Sequence, residues 1–379
     1  MKIISMEPTP SPYSLKVNVN ESLADGEALN FTEYDDLTNA PQYIQDLLKI
    51  EGVKGLYRVI DFITIERNPR VEWEAILPKV REVIGSDEET EDLFSKAVTT
   101  SDEEAFGEVK VEIQMIRHIP TQVKLTEGDT EKRFALPNRL MDAAMEAATA
   151  SNSYLLERQW VEQSPRYGEV DEIGEAVVAE LDAAFTEERL ETLLKAAVND
   201  EAVEQTKFQQ KVTIDMLDSD DWRARYAVLA NMADPTEDDY ALLNKALDDD
   251  NSSVRRIATA YLGMIEQKET LPYLYKALQD KSVNVRRTAG DCLSDLGFTE
   301  AIPQMIETLD DKSRIVRWRA AMFLYEVGDE SAVPALEKAL QDPEFEVRMQ
   351  AKMALARIES GKAGEGSIWQ QMEEATRKK

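Results

Sequence analysis

From about residue 218 onward, apolar positions recur with a period that no single helix or strand produces. Val254, Val285, Val316 and Val347 stand 31 residues apart, each followed by arginine at 255, 286, 317 and 348, and Ala224-Arg225 precedes them by 30. Ala258, Ala289, Ala320 and Ala351 keep the same step, as do Leu262, Leu293, Leu324 and Leu355, and then Leu247, Leu278, Leu309 and Leu340. Pro272, Pro303 and Pro334 follow suit. Within one unit, Val285, Ala289, Leu293 and Leu296 form the stripe of an amphipathic helix. Gly297 and Gly328 stand where a left-handed residue would stop that helix. The proline opens a second helix, where its missing N–H costs nothing, and Ile306 and Leu309 mark the buried side. Two short helices cannot bury both stripes alone, so successive pairs are expected to stack into a solenoid.

The pattern before the repeats is mixed. Ile3–Met6 and Ser14–Val17 read as strands split by three prolines at alternate positions, 8, 10 and 12, which neither a helix nor a central strand accommodates. A helix follows near Pro41–Ile50, then strands at Leu56–Ile60 and Phe62–Glu66 and a helix at Trp73–Ile84, a ββαββα-like unit. Residues 87–106 are acidic and read as linker. Val109–Met115 and Thr121–Leu125 alternate as half-buried strands, and Leu136–Ala150 is an amphipathic helix opened by Pro137-Asn138. Gln163–Gly168 reads as a turn, with helices from about Glu172 to Gln210 beyond it. The expected organisation is an α+β N-terminal domain (1–86), the linker, an α+β middle domain (107–210), an all-α solenoid (215–360) and a polar tail (361–379).

Charge narrows the classes of function. The 379 residues carry 74 Asp and Glu against 44 Lys and Arg, a net charge of −30. Residues 1–217 hold −22 of it and residues 218–360 hold −9. Phosphate repels such a surface, so nucleic acid is not an expected partner. No run reaches the ~18 apolar residues of a membrane span, and the start lacks the apolar stretch of a signal peptide. The expectation is a cytoplasmic protein that does not enter membranes. One cysteine, Cys292, excludes an intrachain disulfide and a four-cysteine metal site, and one histidine, His118, excludes paired-histidine metal motifs. No P-loop, dinucleotide glycine pattern, His-Glu-x-x-His or Gly-x-Ser-x-Gly occurs.

The repeat register assigns roles to single residues. Cys292 shares its rung with Tyr261, Phe323 and Ala354, which makes it a small core residue. Asp249, Asp280, Asp311 and Asp342 lie six residues before the repeated arginines, so an Asp–Arg ladder is expected to tie each repeat to the next. The next rung, Arg256, Arg287, Trp318 and Met349, is expected to face solvent, with Arg256, Arg287 and Trp318 as a candidate partner-binding patch. Arg166 and Tyr167, read as part of a turn, are further candidates for binding or for locking that loop. His118 reads as structural or surface-exposed. Asp248-Asp249-Asp250-Asn251 starts like a calcium loop but lacks the central glycine and closing glutamate, so it reads as a helix-end loop. No catalytic, metal or cofactor residue is assigned.

Register, length and residue types together resemble short HEAT-type helical repeats over roughly 218–358, and most members of that family are interaction surfaces. Glu7-Pro8-Thr9-Pro10-Ser11-Pro12-Tyr13-Ser14-Leu15-Lys16, Gly52-Val53, Asp61-Phe62-Ile63-Thr64-Ile65 and Trp73–Pro78 are similar to the N-terminal domain of Nfu/NifU iron–sulfur scaffold proteins, with Ser11 where that family usually has asparagine. The Cys-x-x-Cys pair of that family, carried in a separate domain, has no counterpart here, and clusters need several thiolates. That resemblance therefore implies an adaptor linked to cluster assembly, with bound iron or a cluster entering only through the resemblance. Arg133-Phe134-Ala135-Leu136-Pro137 and Trp160–Gly168, with the order of the parts, resemble the conserved virulence factor C family over the full chain. The preferred reading is a non-catalytic scaffold binding proteins through its HEAT repeats, linked to cluster assembly and regulation of virulence. One alternative is an iron–sulfur assembly accessory protein that binds iron or a cluster directly. The other is a HEAT-repeat enzyme of lyase or glycosylase type, against which the charge of residues 218–360 speaks where the substrate is nucleic acid.

Overall fold

The computed structural model describes residues 1–9, 11–24, 27–85, 108–128, 130–149, 157–199 and 209–361. The expected linker at 87–106, the polar tail beyond 361 and the end of the helical stretch at 201–208 lie outside the described residues. Two compact units divide the chain, and they cut across its linear order. One gathers Met1–Phe106 with Gly297–Lys379, and the other is Gly107–Leu296.

The first unit begins with a five-stranded antiparallel sheet, β1 (Ile3–Pro8), β2 (Ser14–Val19), β3 (Ala28–Thr32), β4 (Val53–Val59) and β5 (Phe62–Arg67), in the order β1-β2-β5-β4-β3. Alternation puts Leu15, Val17, Val19, Ile63 and Ile65 on the inner face, where they pack with α1 (Gln42–Leu48) and α2 (Trp73–Ile84). The same alternation carries Arg67 inward. Trp73 is fully buried and its indole donates to the Pro12 carbonyl at 2.9 Å, anchoring the proline-rich connection. β3 was not expected: its residues alternate only between exposed and half-buried, so no apolar face betrays it. Four helices complete the unit, α11 (Ile302–Thr308), α12 (Arg314–Val327), α13 (Val333–Ala339) and α14 (Phe345–Glu359). Phe345 and Met349 of α14 pack against the core under the sheet.

The second unit holds a four-stranded antiparallel sheet, β6 (Glu108–Ile116), β7 (Ile119–Glu127), β8 (Thr130–Ala135) and β9 (Arg158–Tyr167), in the order β8-β7-β6-β9. The helices α3 (Asn138–Thr149), α4 (Val170–Ala184) and α5 (Glu187–Asn199) contribute to the core that its inner residues form. Ile116 pairs with Ile119, so Arg117 and His118 are the two residues of a tight hairpin, both with positive φ. His118 is thus an exposed turn residue, as expected. The segment read as a turn at 163–168 is instead mostly strand: β9 runs to Tyr167 and pairs with β6 along its length. Its side chains are exposed or half-buried until the last two positions, so backbone pairing rather than an apolar pattern makes it a strand.

The remaining helices of this unit are α6 (Trp222–Ala230), α7 (Tyr240–Ala246), α8 (Ser252–Met264), α9 (Leu271–Leu278) and α10 (Val283–Leu296). In both units long first helices alternate with short second helices, and Pro272, Pro303 and Pro334 sit in the first turn of the latter, as expected. Gly297 is left-handed at φ 61°, but Gly328 is extended at φ −60°, so the second helix stop is not the expected kind. There a close approach selects glycine instead, because a Cβ would press against the Leu324 carbonyl.

Cys292 is buried and its thiol donates to the Thr259 carbonyl at 3.6 Å, consistent with a core role. A Cβ on Gly263 would lie 2.7 Å from the Cys292 Cβ, which is why α8 and α10 cross so closely. Gly263→Ala is expected to cost about 1–3 kcal/mol through overpacking. In urea titration, adding Cys292→Ala should restore part of that loss; an unchanged midpoint in the single variant would refute the close-crossing account.

Candidate functional site

The repeated arginines are built into the walls of the helix pairs. Arg225 grips Asp249 with two hydrogen bonds of 2.6 and 2.8 Å, Arg255 grips Asp280 at 2.6 and 2.9 Å, and Arg317 grips Asp342 at 2.7 and 2.9 Å. Each is the planar two-point contact that a guanidinium makes best with a carboxylate. The Nη1 groups of Arg255, Arg286, Arg317 and Arg348 also donate to the carbonyls of Asp249, Asp280, Asp311 and Asp342, at 2.8–3.0 Å. The same four aspartates accept a backbone N–H two residues on, which fixes the loop that starts each first helix. Each arginine therefore holds its own loop by a carbonyl, and Arg225, Arg255 and Arg317 also hold the following repeat by a carboxylate. The Asp248–Asn251 segment is such a loop, with Asn251 capping α8.

The rung expected to face solvent does not. Arg287 and Trp318 are each 2% exposed, and Arg256 is largely buried. Arg256 Nη2 lies 3.2 Å from Glu180 of α4, and Arg287 stacks over the Tyr167 ring at 5.0 Å while pairing with Asp291. Met349 packs on the core of the first unit. Side chains that look like a binding patch in sequence are here spent inside the protein. Burial of a guanidinium is tolerated only with partners, and Arg256, Arg287 and Met349 meet the α/β parts of their own units.

Arg166 and Tyr167 are buried as well. They end β9, where the strand turns inward. The Tyr167 N–H donates to Asn284 Oδ1 at 2.8 Å, and Asn284 Nδ2 donates to the Tyr167 carbonyl at 2.9 Å, so an asparagine on α10 pairs with the strand end as a neighbouring strand would. Arg166 Nη2 donates to Glu180 at 2.9 Å, and the Tyr226 hydroxyl lies 3.4 Å from the same oxygen. Burial alone would raise the Glu180 carboxyl, but Arg256, Arg166 and a Ser253 hydrogen bond hold it below the usual range. Burial and the neighbouring Arg256 in turn lower Arg166, and burial pushes the Tyr226 phenol up. Of the five candidates, the structure gathers Arg166, Tyr167, Arg256 and Arg287 into one stretch between the middle sheet and the repeats, and Trp318 lies in the other unit.

A second cluster sits in the first unit and was missed in sequence. Arg67 (1% exposed) pairs with Glu346 of α14 (2% exposed) at 2.6 Å and also donates to the Pro69 and Val71 carbonyls. Burial pushes the Glu346 carboxyl up to about 7, offset only in part by Arg67, and Arg348 pairs with Glu74 of α2 at 2.9 Å. Both clusters left a trace: Glu180 interrupts the stripe Ile173, Val177, Ala183, and Arg67 completes the stripe Ile63, Ile65. A charge in a core register is the signal, since it needs a buried counter-charge.

Among the described residues, no group of three or more His, Cys, Asp or Glu side chains is placed to hold a metal ion. The chain's single thiol is bonded to a helix carbonyl, so the residues present do not fit an iron–sulfur cluster. No helix among the described residues is long and apolar enough to cross a membrane.

The parts of the chain match known families in turn: scaffold protein Nfu/NifU N terminal over 4–90, virulence factor over 114–194, and HEAT repeats over 210–289, 240–324 and 274–356. The N-terminal α+β region and the helical C-terminal half with HEAT repeats are as expected. In solved structures, a Staphylococcus aureus protein, SAV1430, is 40% identical over 22% of this chain and 98% of its own, at a TM-score of 0.21. A designed armadillo repeat protein is 21% identical over 50% of this chain and 94% of its own, at a TM-score of 0.30. YpgR of Bacillus subtilis (strain 168) is 52% identical over 72% of this chain and 71% of its own length. Conserved virulence factor C of Staphylococcus saprophyticus is 42% identical over 73% and 72%, and that of Staphylococcus haemolyticus 38% over 73% and 72%. With such relatives, and with all three parts present in order, the chain belongs to the conserved virulence factor C family.

Proposed function

We propose that this protein is a non-catalytic adaptor whose first helices hold its own α/β modules and whose second helices receive a protein partner. One observation carries the reading: the rung of 256, 287, 318 and 349 is turned inward, whereas the second helices keep long side chains at the surface. Lys276 on α9, Glu307 on α11, and Glu337 and Lys338 on α13 are all exposed. HEAT repeats generally serve protein interactions, which supports this use of the free helices. The buried carboxylates of the two clusters are committed to guanidiniums, which argues against a catalytic acid there. The names of the staphylococcal relatives support a role in virulence, and the Nfu/NifU match supports a partner within cluster assembly. The net charge of −30 favours a protein partner over nucleic acid.

The test compares proteins cross-linked to the full chain in cells with those held by a Lys276→Glu, Glu307→Arg, Glu337→Arg variant. A specific stoichiometric partner is expected to fall about ten-fold or more in the variant, corresponding to ~1.4 kcal/mol of lost binding. Equal recovery by both proteins, or recovery of chaperones alone, would overturn the proposal.

A further inference from the structure

α7 and α9 are the second helices of neighbouring repeats, and each is opened by a short 3₁₀ turn, Glu237–Asp239 and Lys268–Thr270. The Tyr240 and Tyr273 rings stack with centroids 5.2 Å apart and planes 17° from parallel, which holds the two openings side by side. Both rings are half-buried, so part of the stack faces water. Glu237 lies three residues before one ring and Glu269 four before the other, about one turn away on the same side. Both carboxylates are exposed. Burial raises the Tyr240 phenol, and the charges of Glu237 and Glu269 add to the rise.

The charge around the stack is one-sided. Within 234–239 and 266–269, Asp234, Glu237, Asp238, Asp239, Glu266 and Glu269 stand against Lys268 alone, six charges against one, or −5. Asp239 has a structural task, since it accepts the Thr236 N–H at 2.8 Å. The lysines of the two helices are engaged elsewhere: Lys276 pairs with Asp248 at 2.7 Å, and Lys245 pairs with Asp218. Exposed carboxylates are thus gathered round aromatic faces that themselves attract cations.

Resting on the adaptor reading, we propose that the turns opening α7 and α9 receive a basic, arginine-bearing segment of the partner protein, whose guanidiniums lie on the Tyr240–Tyr273 stack and pair with Glu237 and Glu269. A planar guanidinium suits both tasks, because it stacks on aromatic faces and meets a carboxylate at two points. Glu237 and Glu269 belong to successive repeats, so a chain presenting cations in series matches them better than a lone ion. One exposed pair contributes little, and affinity comes from several acting together. The net charge of −30 attracts cations to the whole molecule, whereas the stack draws them to this place.

Fluorescence anisotropy of a fluorescein-labelled peptide of four Arg-Ser pairs, titrated with the full chain at about 0.15 M salt, reads this. Saturable binding is expected. Glu237→Gln with Glu269→Gln should weaken it about ten-fold, and Tyr273→Leu, which keeps apolar bulk, about three-fold. Asp142→Asn with Glu146→Gln, exposed on α3 outside the repeats, removes the same charge and should change it by less than about two-fold. Absence of saturable binding overturns the docking site, as does an equal loss in the α3 pair. So does a folded Tyr273→Leu protein that binds like wild type; if that variant fails to fold, the two exposed glutamates decide alone. In cells, a partner lost from the Lys276→Glu, Glu307→Arg, Glu337→Arg variant but kept by Glu237→Gln with Glu269→Gln sustains the adaptor reading and overturns this site.

Discussion

Glu180→Ala is expected to destabilise the protein by about 3–5 kcal/mol, the cost of leaving buried charge without its counter-charge. Arg166 and Arg256 both converge on this one carboxylate, at 2.9 and 3.2 Å, and Tyr226 and Ser253 complete its shell. With it gone, two guanidiniums face each other in a site that burial already makes unfavourable for Arg166. Glu180→Gln should fall between, since an amide keeps hydrogen bonds but not the charge. Urea denaturation checks both, and a loss under about 1 kcal/mol for Glu180→Ala would show that water reaches the arginines freely. Glu180 is held below the ordinary range, so its contribution is present above the unfolded carboxylate value and is lost as pH falls through the lowered folded one. Acid should weaken the middle-domain contact.

The second large effect belongs to the ladder. Arg255→Ala removes both hydrogen bonds to Asp280 and those to the Asp249 and Asp250 carbonyls, and it strands a largely buried aspartate. The expected loss is again about 3–5 kcal/mol. Arg255→Lys should recover only a fraction, because a point charge cannot span carboxylate and carbonyls together. Since repeats are stabilised chiefly by their neighbours, the damage is expected to be local. Exchange protection should drop first in α8 and α9, with the fold elsewhere kept. A uniform loss of protection along the whole chain would contradict that picture.

Much of the helical half was legible because repetition amplifies weak signals. One Val-Arg pair says little, but four at a constant step mark one side of four helices, and the aspartates six residues earlier point to their partners. The proline positions were read correctly for the same reason. Gly328 was misread because glycine is selected both by left-handed backbone and by close approach, and only neighbouring atoms distinguish the two. Three edge strands, β3, β8 and β9, escaped because their side chains lie mostly in water, so no buried face wrote a pattern into the residues. The rung of Arg256, Arg287 and Trp318 was misplaced for a related reason. Polar and amphipathic side chains mark solvent in an isolated repeat, and nothing in that repeat announces a sheet folding over it.

The sequence by itself determined the order of the parts, the repeat register, the Asp–Arg pairing and the core role of Cys292, because each rests on near neighbours or on a strict period. Tertiary structure alone decided which helix face is covered and which carboxylate meets which arginine. Glu180 and Arg256 are 76 residues apart, and Arg67 and Glu346 are 279 apart. Their pairing follows from burial, since a charge removed from water must find its opposite wherever the chain brings one.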